Sequence, residues 1–360
     1  MARAATATIN LEAIRHNYRL AKSVAPEQYA VAVIKADAYG HGASVVAESL
    51  KNDADAFAVA CIEEAVELRD AGFNQPILLL EGFFSADELD YISKNNLWCV
   101  IHSLQQLDII ASAKLKNLIT VWLKMDTGMH RLGIHPNDFV SAYKKVTSLS
   151  KVKEVVLMTH FSSADEPKLD VTEKQINTFD HIASDINAPV SLANSAAVLA
   201  HNKAHREWQR PGIMLYGASP FATAQPMADK LVPAMTLSSE VIAVREVNPG
   251  ESIGYGETWT CDRKTRVGTV AIGYADGYPR HAKNGTPVLV AGQSTHVIGR
   301  VSMDMITIDL TDIPDAGPGS YVELWGENLP ATAVAKYCDT IPYTLFTGIT
   351  KRVHKRYINR

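Results

Sequence analysis

Residues 29–42 read YAVAVIKADAYGHG. The stretch opens as an apolar run rich in valine and alanine. A lysine closes the run, and two glycines follow within seven residues. A short continuous apolar run that ends in turn-forming residues reads as a strand buried on both faces, the kind from which parallel sheets are built. Runs of the same kind recur downstream as AFAVA (56–60), ILLLEG (77–82), WCVIH (98–102), LITVWLKMD (118–126), VKEVVLMTHF (152–161), VSLAN (190–194) and GIMLYG (212–217). Amphipathic segments separate them. In CIEEAVELRDAG (61–72), Ile62, Ala65, Val66 and Arg69 share a stripe, and Gly72 supplies a helix stop. SADELDYISKN (85–95) opens with the capping-box pair Ser85 and Glu88. Further helices are expected near 42–52, 103–113, 136–148, 172–185 and 195–202. Repeated strand–helix units imply a parallel sheet, and eight of them imply closure into a (β/α)8 barrel of ordinary size. An open doubly wound sheet would call for G-x-G-x-x-G after the first strand, and the sequence lacks it there.

The rhythm breaks after Gly217. ASPFATAQPMADKLVPAM (218–235) carries Pro220, Pro226 and Pro233, a turn-rich crossing between domains. Beyond it the strands become short and alternating. In MITIDL, Ile306, Ile308 and Leu310 face one way while Thr307 and Asp309 face the other. The expected fold class is therefore α/β: a (β/α)8 barrel over residues 1–228, then a mainly β C-terminal domain over 229–360. The first strand, about residues 1–9, is expected to pair with the β domain. A short helix is expected near 331–339, and the terminal KRVHKRYINR reads as a basic strand or a solvated end.

Composition narrows the function classes. The chain has 360 residues, 35 Lys plus Arg against 39 Asp plus Glu, and a formal charge of −4. Hydrophobic residues make up 47% and charged residues 21%, as in ordinary globular domains. The basic footprint of a nucleic-acid binder is missing. No apolar run approaches the ~18 residues of a membrane span. Charges near the start argue against an export signal. Cys61, Cys99, Cys261 and Cys338 are widely spaced, which suggests free thiols in a reducing compartment. We expect a cytoplasmic protein with no nucleic-acid or membrane partner.

Barrel enzymes carry their reactive groups at the carboxyl ends of the strands. Those ends offer Lys35, His102, Lys124, Asp126, His160, Asn194 and Ser195, with Arg131 in a following loop and Arg210 before the last run. Lys35 is the sharpest candidate. Burying an ammonium is costly, and a buried lysine loses its proton more readily and becomes a nucleophile. Tyr39 and the two glycines of KADAYGHG suit a bound phosphate approached closely by backbone. Asp126 has no partners at metal-ligand spacing, so we assign it a structural role and expect no metal. His41 and His102 read as hydrogen-bonded structural residues.

Seven motifs in order, AVIKADAYGHG, KMDTGMHRLG, THFSSAD, RPGIMLYG, SIGYGETW, AIGYADGYPR and GRVSMDM, resemble the alanine racemase family over essentially the whole chain. The resemblance implies a pyridoxal 5'-phosphate enzyme that interconverts L- and D-alanine with two bases, supplying D-alanine for peptidoglycan or catabolising it. By that resemblance Lys35 carries the cofactor and acts as one base, on the D-isomer. Tyr255 is the opposite-face base, acting on the L-isomer and reaching the site from a partner subunit. Tyr39, Ser195, Gly212, Ile213 and Tyr343 match the phosphate cradle, and Asn194 lies beside it. Arg210 matches the arginine facing the ring nitrogen, with His160 as its hydrogen-bond partner. Arg131 and Met303 match the groups that hold the substrate carboxylate, and Tyr274 and Asp304 accompany Met303. Lys124 matches a lysine that is carbamylated in many members and orients the Arg131 position. A homodimer with shared active sites follows, because Tyr255 and Met303 lie on the β domain. A barrel-plus-β decarboxylase of basic amino acids would require different motifs after the lysine. A cofactor-binding protein without catalysis would need neither the β domain nor Tyr255. A broad-specificity racemase would resemble exported proteins.

Overall fold

A computed structural model describes residues 3–359, so the expected outer limits at residues 1 and 360 lie outside the described residues. The chain opens with strand β1 (Thr6–Asn10) and helix α1 (Leu11–Ser23), a helix the sequence reading did not anticipate. Asn10 caps it by accepting from the backbone N–H groups of Glu12 and Ala13. Then come β2 (Tyr29–Val33), α2 (Ala43–Leu50), β3 (Ala56–Val59), α3 (Ile62–Asp70), β4 (Ile77–Leu79), α4 (Glu88–Lys94) and β5 (Leu97–Ile101). After these follow α5 (Leu104–Ser112), β6 (Ile119–Lys124), α6 (Pro136–Thr147), β7 (Val152–Met158), α7 (Val171–Ile182), β8 (Val190–Ser191), α8 (Ser195–Ala200) and β9 (Trp208–Gln209).

The barrel strands pair in parallel in the order β8-β7-β6-β5-β4-β3-β2-β9. An isolated parallel bridge between Asn194 and Arg210 closes the ring beside β8. Their near-continuous burial explains the apolar runs: every residue of β3, β4 and β6 is buried. Among the outer helices, α3 buries Ala65 and Leu68. Arg69 extends that face by donating to the carbonyls of Phe73, Gln75, Asn95 and Asn96. Tyr29 stacks on Trp208, and Trp98 stacks on Trp122, with ring centroids 4.7 and 5.9 Å apart. Trp208 lies edge-on to both Trp98 and Trp122, so one aromatic cluster joins four strands.

The eighth strand is corrected by the structure. GIMLYG is not a strand; Ile213–Tyr216 form a 3-10 turn. Leu215 N–H donates to the Gly212 carbonyl, and Gly217 ends the turn at φ 76°. The run is apolar because Ile213, Met214, Leu215 and Tyr216 are all buried. A short run buried on every side carries no period by which a strand can be told from a turn. The strand proper, Trp208–Gln209, is only two residues long and too polar to stand out. One result is that Arg210 follows the carboxyl end of the last strand, on the same rim as the other candidate groups.

The second region contains β10 (Met235–Val247), β11 (Ser252–Ile253), β12 (Trp259–Thr260), β13 (Thr265–Val270), β14 (Pro287–Val290), β15 (Gln293–His296), β16 (Ile306–Asp309) and β17 (Tyr321–Trp325). Helices α9 (Ala331–Tyr337) and α10 (Pro342–Thr347) and strand β18 (His354–Ile358) complete it. The sequence reading anticipated α9 but not α10. The long β10 shifts register between Val241 and Ala243; it pairs with β1 and β17 before that point and with β13 from Val241 onward. β1 lies between β10, antiparallel, and β18, parallel. β1 and β18, near the two ends of the described residues, are thus stitched into the sheet of the second region, and His354–Ile358 of the basic tail form a strand.

Candidate active site

Lys35 follows β2 directly, and the backbone then does something unusual. Ala36, Asp37, Ala38 and Tyr39 all have φ between 51° and 53°. Four successive non-glycine residues in the left-handed region cost about 1–2 kcal/mol each. The surroundings hold the turn in place. Asp37 accepts from Ala43 N–H at 2.7 Å and pairs with Lys355. The buried His41 faces the carbonyls of Ala38 and Tyr39 with Nδ1, which must therefore carry the proton. Gly40 lets the turn approach α10, since an added Cβ would stand 2.2 Å from the Phe346 carbonyl oxygen. This close contact explains why α10, distant in sequence, delivers Tyr343 to the barrel.

A cavity of about 700 Å³ opens at this rim. Lys35, Tyr39, Lys124, Arg131, His160, Asn194, Ser195, Arg210, Gly212, Ile213 and Tyr343 all line it. Every expected site residue of the barrel region, and Tyr343 of the second, is therefore brought to one space. Glu81, Asp165, Pro220 and Ile341 also line it and were not anticipated. Glu81 could have been found, because it stands just beyond the carboxyl end of β4. Ile341 has no sequence signal, because only the docking of α10 brings it there. A second groove, along Arg15, Arg19, Glu48 and Asp53 on the barrel's outer side, has no such convergence of groups. Arg19 there is paired with Glu12 and Asp53.

One wall of the cavity is a cradle. The Ser195 hydroxyl oxygen accepts from the N–H groups of Gly212, at 2.8 Å, and Met214, at 3.3 Å. A Cβ on Gly212 would meet the Tyr39 hydroxyl at 2.8 Å, so only glycine leaves room there. Tyr39 is buried, with its ring centroid 4.8 Å from that of Tyr216 and 5.9 Å from that of Tyr343. Burial raises the pKa of both Tyr39 and Tyr343, so both remain neutral hydroxyl donors. The opposite wall is cationic. Burial, and then the Arg131 charge, pulls the Lys35 amine below its ordinary range. Lys124 is only 6% exposed and is pulled down to about 8 by burial and by Arg210, Arg131 and Lys35, against a smaller opposing effect of Asp126. Burial, and then the charges of Arg210, Lys124, Arg131 and Lys35, push His160 well below 6.5, so its ring is neutral.

Arg210 is buried, and burial lowers its pKa to about 10, which leaves it charged at neutral pH. It donates to the Ser191 hydroxyl at 2.5 Å and to the carbonyls of Ser191, Thr159 and Leu192. Among the described residues, these bonds stand where the sequence reading placed a bond to His160. Ser191 wins because β8 ends beside Arg210, a neighbour relation only the ring closure creates. Asp126 has the structural role expected of it, accepting from the N–H groups of Gly128 and His130 and from the His130 ring. No group of three or more metal-binding side chains exists among the described residues.

Tyr255, Tyr274, Met303 and Asp304 do not line the cavity of their own chain. Tyr255 is 69% exposed and Met303 52%. Their loops are knitted together instead. Tyr274 N–H donates to the Ser302 carbonyl and Ala275 N–H to the Met303 carbonyl. The turn that carries Tyr255 packs on Arg300 of the same loop. Beneath them Asp276, fully buried, is paired with Arg3 and Arg352, and Arg352 also binds Asp304.

Residues 9–220 match the family described as "Alanine racemase, N-terminal domain", and residues 234–357 match "Alanine racemase, C-terminal domain". The chain is 55% identical to an alanine racemase of Pseudomonas taetrolens and 55% identical to a catabolic alanine racemase of Pseudomonas putida, covering 99% of each chain in both cases. Its fold superposes on the crystal structure of a biosynthetic alanine racemase from Pseudomonas aeruginosa with a TM-score of 0.96, at 48% identity and 99% coverage of both chains. The alanine racemase of Bartonella henselae, solved with covalently bound pyridoxal phosphate, matches with a TM-score of 0.90 at 29% identity over 99% of each chain.

Proposed function

The chain belongs to the alanine racemase family and interconverts L- and D-alanine, and from that premise we propose that it works with pyridoxal 5'-phosphate in a site shared between two subunits. The observation that carries the reading is the convergence of Lys35, Arg131, Ser195, Arg210 and Tyr343 on one cavity at the barrel rim.

The residues present fit the cofactor. A phosphate needs N–H and O–H donors at close range, and the narrow space at Gly212 beside the Tyr39 hydroxyl supplies a cradle that a Cβ would fill. Tyr39, Ser195, Gly212, Ile213 and Tyr343 would hold the phosphate, Lys35 the aldehyde carbon, and Arg210 the ring nitrogen. When bound, the cofactor supplies an electron sink that makes the α-proton of an attached amino acid acidic enough to remove.

The chain's own groups do the rest. Lys35, with its basicity moderated by burial and by Arg131, takes or returns the proton on one face. The partner subunit's Tyr255 serves the other face, because a racemase must deliver the proton to the side opposite its removal. Arg131, a permanent cation at the rim, and the N–H of the partner subunit's Met303 hold the substrate carboxylate. Lys124, an unmodified cation repelled by Arg131, would become an anionic acceptor able to orient Arg131 if its amine were carbamylated. Arg210, fixed by hydrogen bonds to four acceptors and charged at neutral pH, offers the ring nitrogen only a donor.

The exposure of Tyr255 and Met303 outside their own cavity supports a dimer in which they reach the neighbouring barrel. The four unpaired cysteines support a cytoplasmic location, where thiols stay reduced. No helix among the described residues is long and apolar enough to cross a membrane. The test is complementation. Lys35→Ala and Tyr255→Ala subunits, each inactive, are unfolded and refolded together with pyridoxal phosphate. Mixed dimers then contain one intact composite site, and about a quarter of wild-type activity returns. Mixed dimers that form but recover no activity overturn the shared-site reading.

A further inference from the structure

Glu64 lies in the first turn of α3, outside the cavity lining, and one carboxylate of it spans two elements of the barrel. Its Oε1 accepts from Ala36 N–H at 2.6 Å, and its Oε2 accepts from Ala60 N–H at 2.7 Å. Ala60 follows β3, and Ala36 follows Lys35. Both bonds are charge-assisted and therefore among the stronger kind. The peptide so gripped opens the left-handed turn of Ala36–Tyr39, whose strain persists only where the surroundings over-determine it. The other supports act farther along: Asp37 on Ala43 and Lys355, and His41 on Ala38 and Tyr39. Glu64 is the support placed at the peptide next to Lys35.

We propose that Glu64 is a positioning residue for Lys35, locking the Lys35–Ala36 peptide to the end of β3 so that the amine is held at the cavity. The assignment rests on the reading of Lys35 as the reactive amine. Two separate effects follow from it. Without Glu64 the turn loses its first restraint, and Lys35 samples positions away from the site. The negative charge of Glu64 also favours protonated Lys35, so its removal frees the amine at lower pH.

The experiment compares Glu64→Ala and Glu64→Gln with Glu67→Ala, a change at an exposed residue of the same helix. Hydrogen exchange of the segment 34–43 is followed by mass spectrometry in the cofactor-free protein. Acylation of Lys35 by acetic anhydride is mapped across pH in the same samples, and kcat and KM are measured after loading with pyridoxal phosphate. In Glu64→Ala, the Ala36 amide exchanges about tenfold faster, the size of one lost charge-assisted bond. Lys35 is acylated several-fold faster at neutral pH, and kcat falls while KM changes little. Glu64→Gln keeps one acceptor oxygen and loses the charge. It exchanges at an intermediate rate but shows the full gain in Lys35 acylation, so it decides the matter if the alanine variant fails to fold. Glu67→Ala matches the wild type throughout. Wild-type exchange and wild-type acylation in Glu64→Gln overturn the proposal. Lys35→Ala separates this from the parent reading: if that variant still racemises alanine and still retains cofactor after borohydride, Lys35 is not the reactive amine and the parent reading fails first.

Discussion

Lys124 provides a test in which stability and ligand binding move in opposite directions. Its side chain is buried at the end of β6 among Lys35, Arg131 and Arg210, and burial with these charges lowers its pKa from 10.5 to about 8. The unfolded chain keeps the proton up to about 10.5, while the folded chain gives it up above about 8. The unfolded state therefore binds more protons across that window, so stability rises with pH from about 8 to about 10.5 and carries the full penalty below 8. At 1.36 kcal/mol per pH unit, the penalty near pH 7 is about 3 kcal/mol. Lys124→Met keeps most of the volume and removes the charge. The cofactor-free variant is expected to be more stable than the wild type at pH 7 by up to about 3 kcal/mol, with the advantage vanishing as pH approaches 10.5. The same variant is expected to bind inorganic phosphate and pyridoxal phosphate more weakly, because the cavity has lost one of its cations. Thermal midpoints of the cofactor-free proteins at several pH values, with calorimetric titration of each anion, measure both effects. A variant that is less stable at pH 7, or a stability difference that does not vary with pH, refutes the reasoning.

Three further expectations concern neighbouring parts of the molecule. Gly212→Ala drives a Cβ to within 2.8 Å of the Tyr39 hydroxyl, which is wedged between Tyr216 and Tyr343; displacing one donor to a charged group costs about 1.5–3 kcal/mol, so titration with pyridoxal phosphate should show roughly 10- to 150-fold weaker binding while the thermal midpoint of the cofactor-free protein moves little. Asp276→Asn removes the buried counter-charge of Arg3 and one of the two carboxylates that Arg352 binds; the thermal midpoint is expected to fall, and a double-mutant cycle with Arg352→Met recovers part of the loss. Arg69→Met orphans the carbonyls of Phe73, Gln75, Asn95 and Asn96; the chain should lose about 1–3 kcal/mol, read as a lower thermal midpoint with kcat unchanged, and a fall in kcat at full stability would contradict the purely structural role.

The barrel was legible because each of its strands but one lies within a longer apolar run, β8 (itself two residues) within VSLAN, and amphipathic segments separate the runs. The exception, Trp208–Gln209, shows the limit of that reading. Two residues cannot display a pattern, and the adjacent GIMLYG displays a false one because burial on all sides mimics a strand. Helix α1 was missed although Asn10 is a good cap. Helix α10 offered only Pro342 as a start signal and is six residues long.

The candidate site divides along the same physical line. Local sequence determined which groups exist and near which strand ends they stand, because strand direction and side-chain chemistry are properties of short segments; Lys35, Tyr39, Lys124, Arg131, His160, Asn194, Ser195 and Arg210 were found that way, and the family motifs added Gly212, Ile213 and Tyr343. Contacts between segments far apart in the chain were decided only by the closed ring and the docked second region. The Ser191 partner of Arg210, the grip of Glu64 on Ala36 and the meeting of Phe346 with Gly40 all belong to that class. So does the lowering of the Lys124 and Lys35 pKa values, which comes from burial beside other cations rather than from any neighbour in sequence. A hydrogen bond or a Coulomb interaction depends on distance in space, and for residues 28 positions apart in one case and 19 in another that distance was set only when the strands closed.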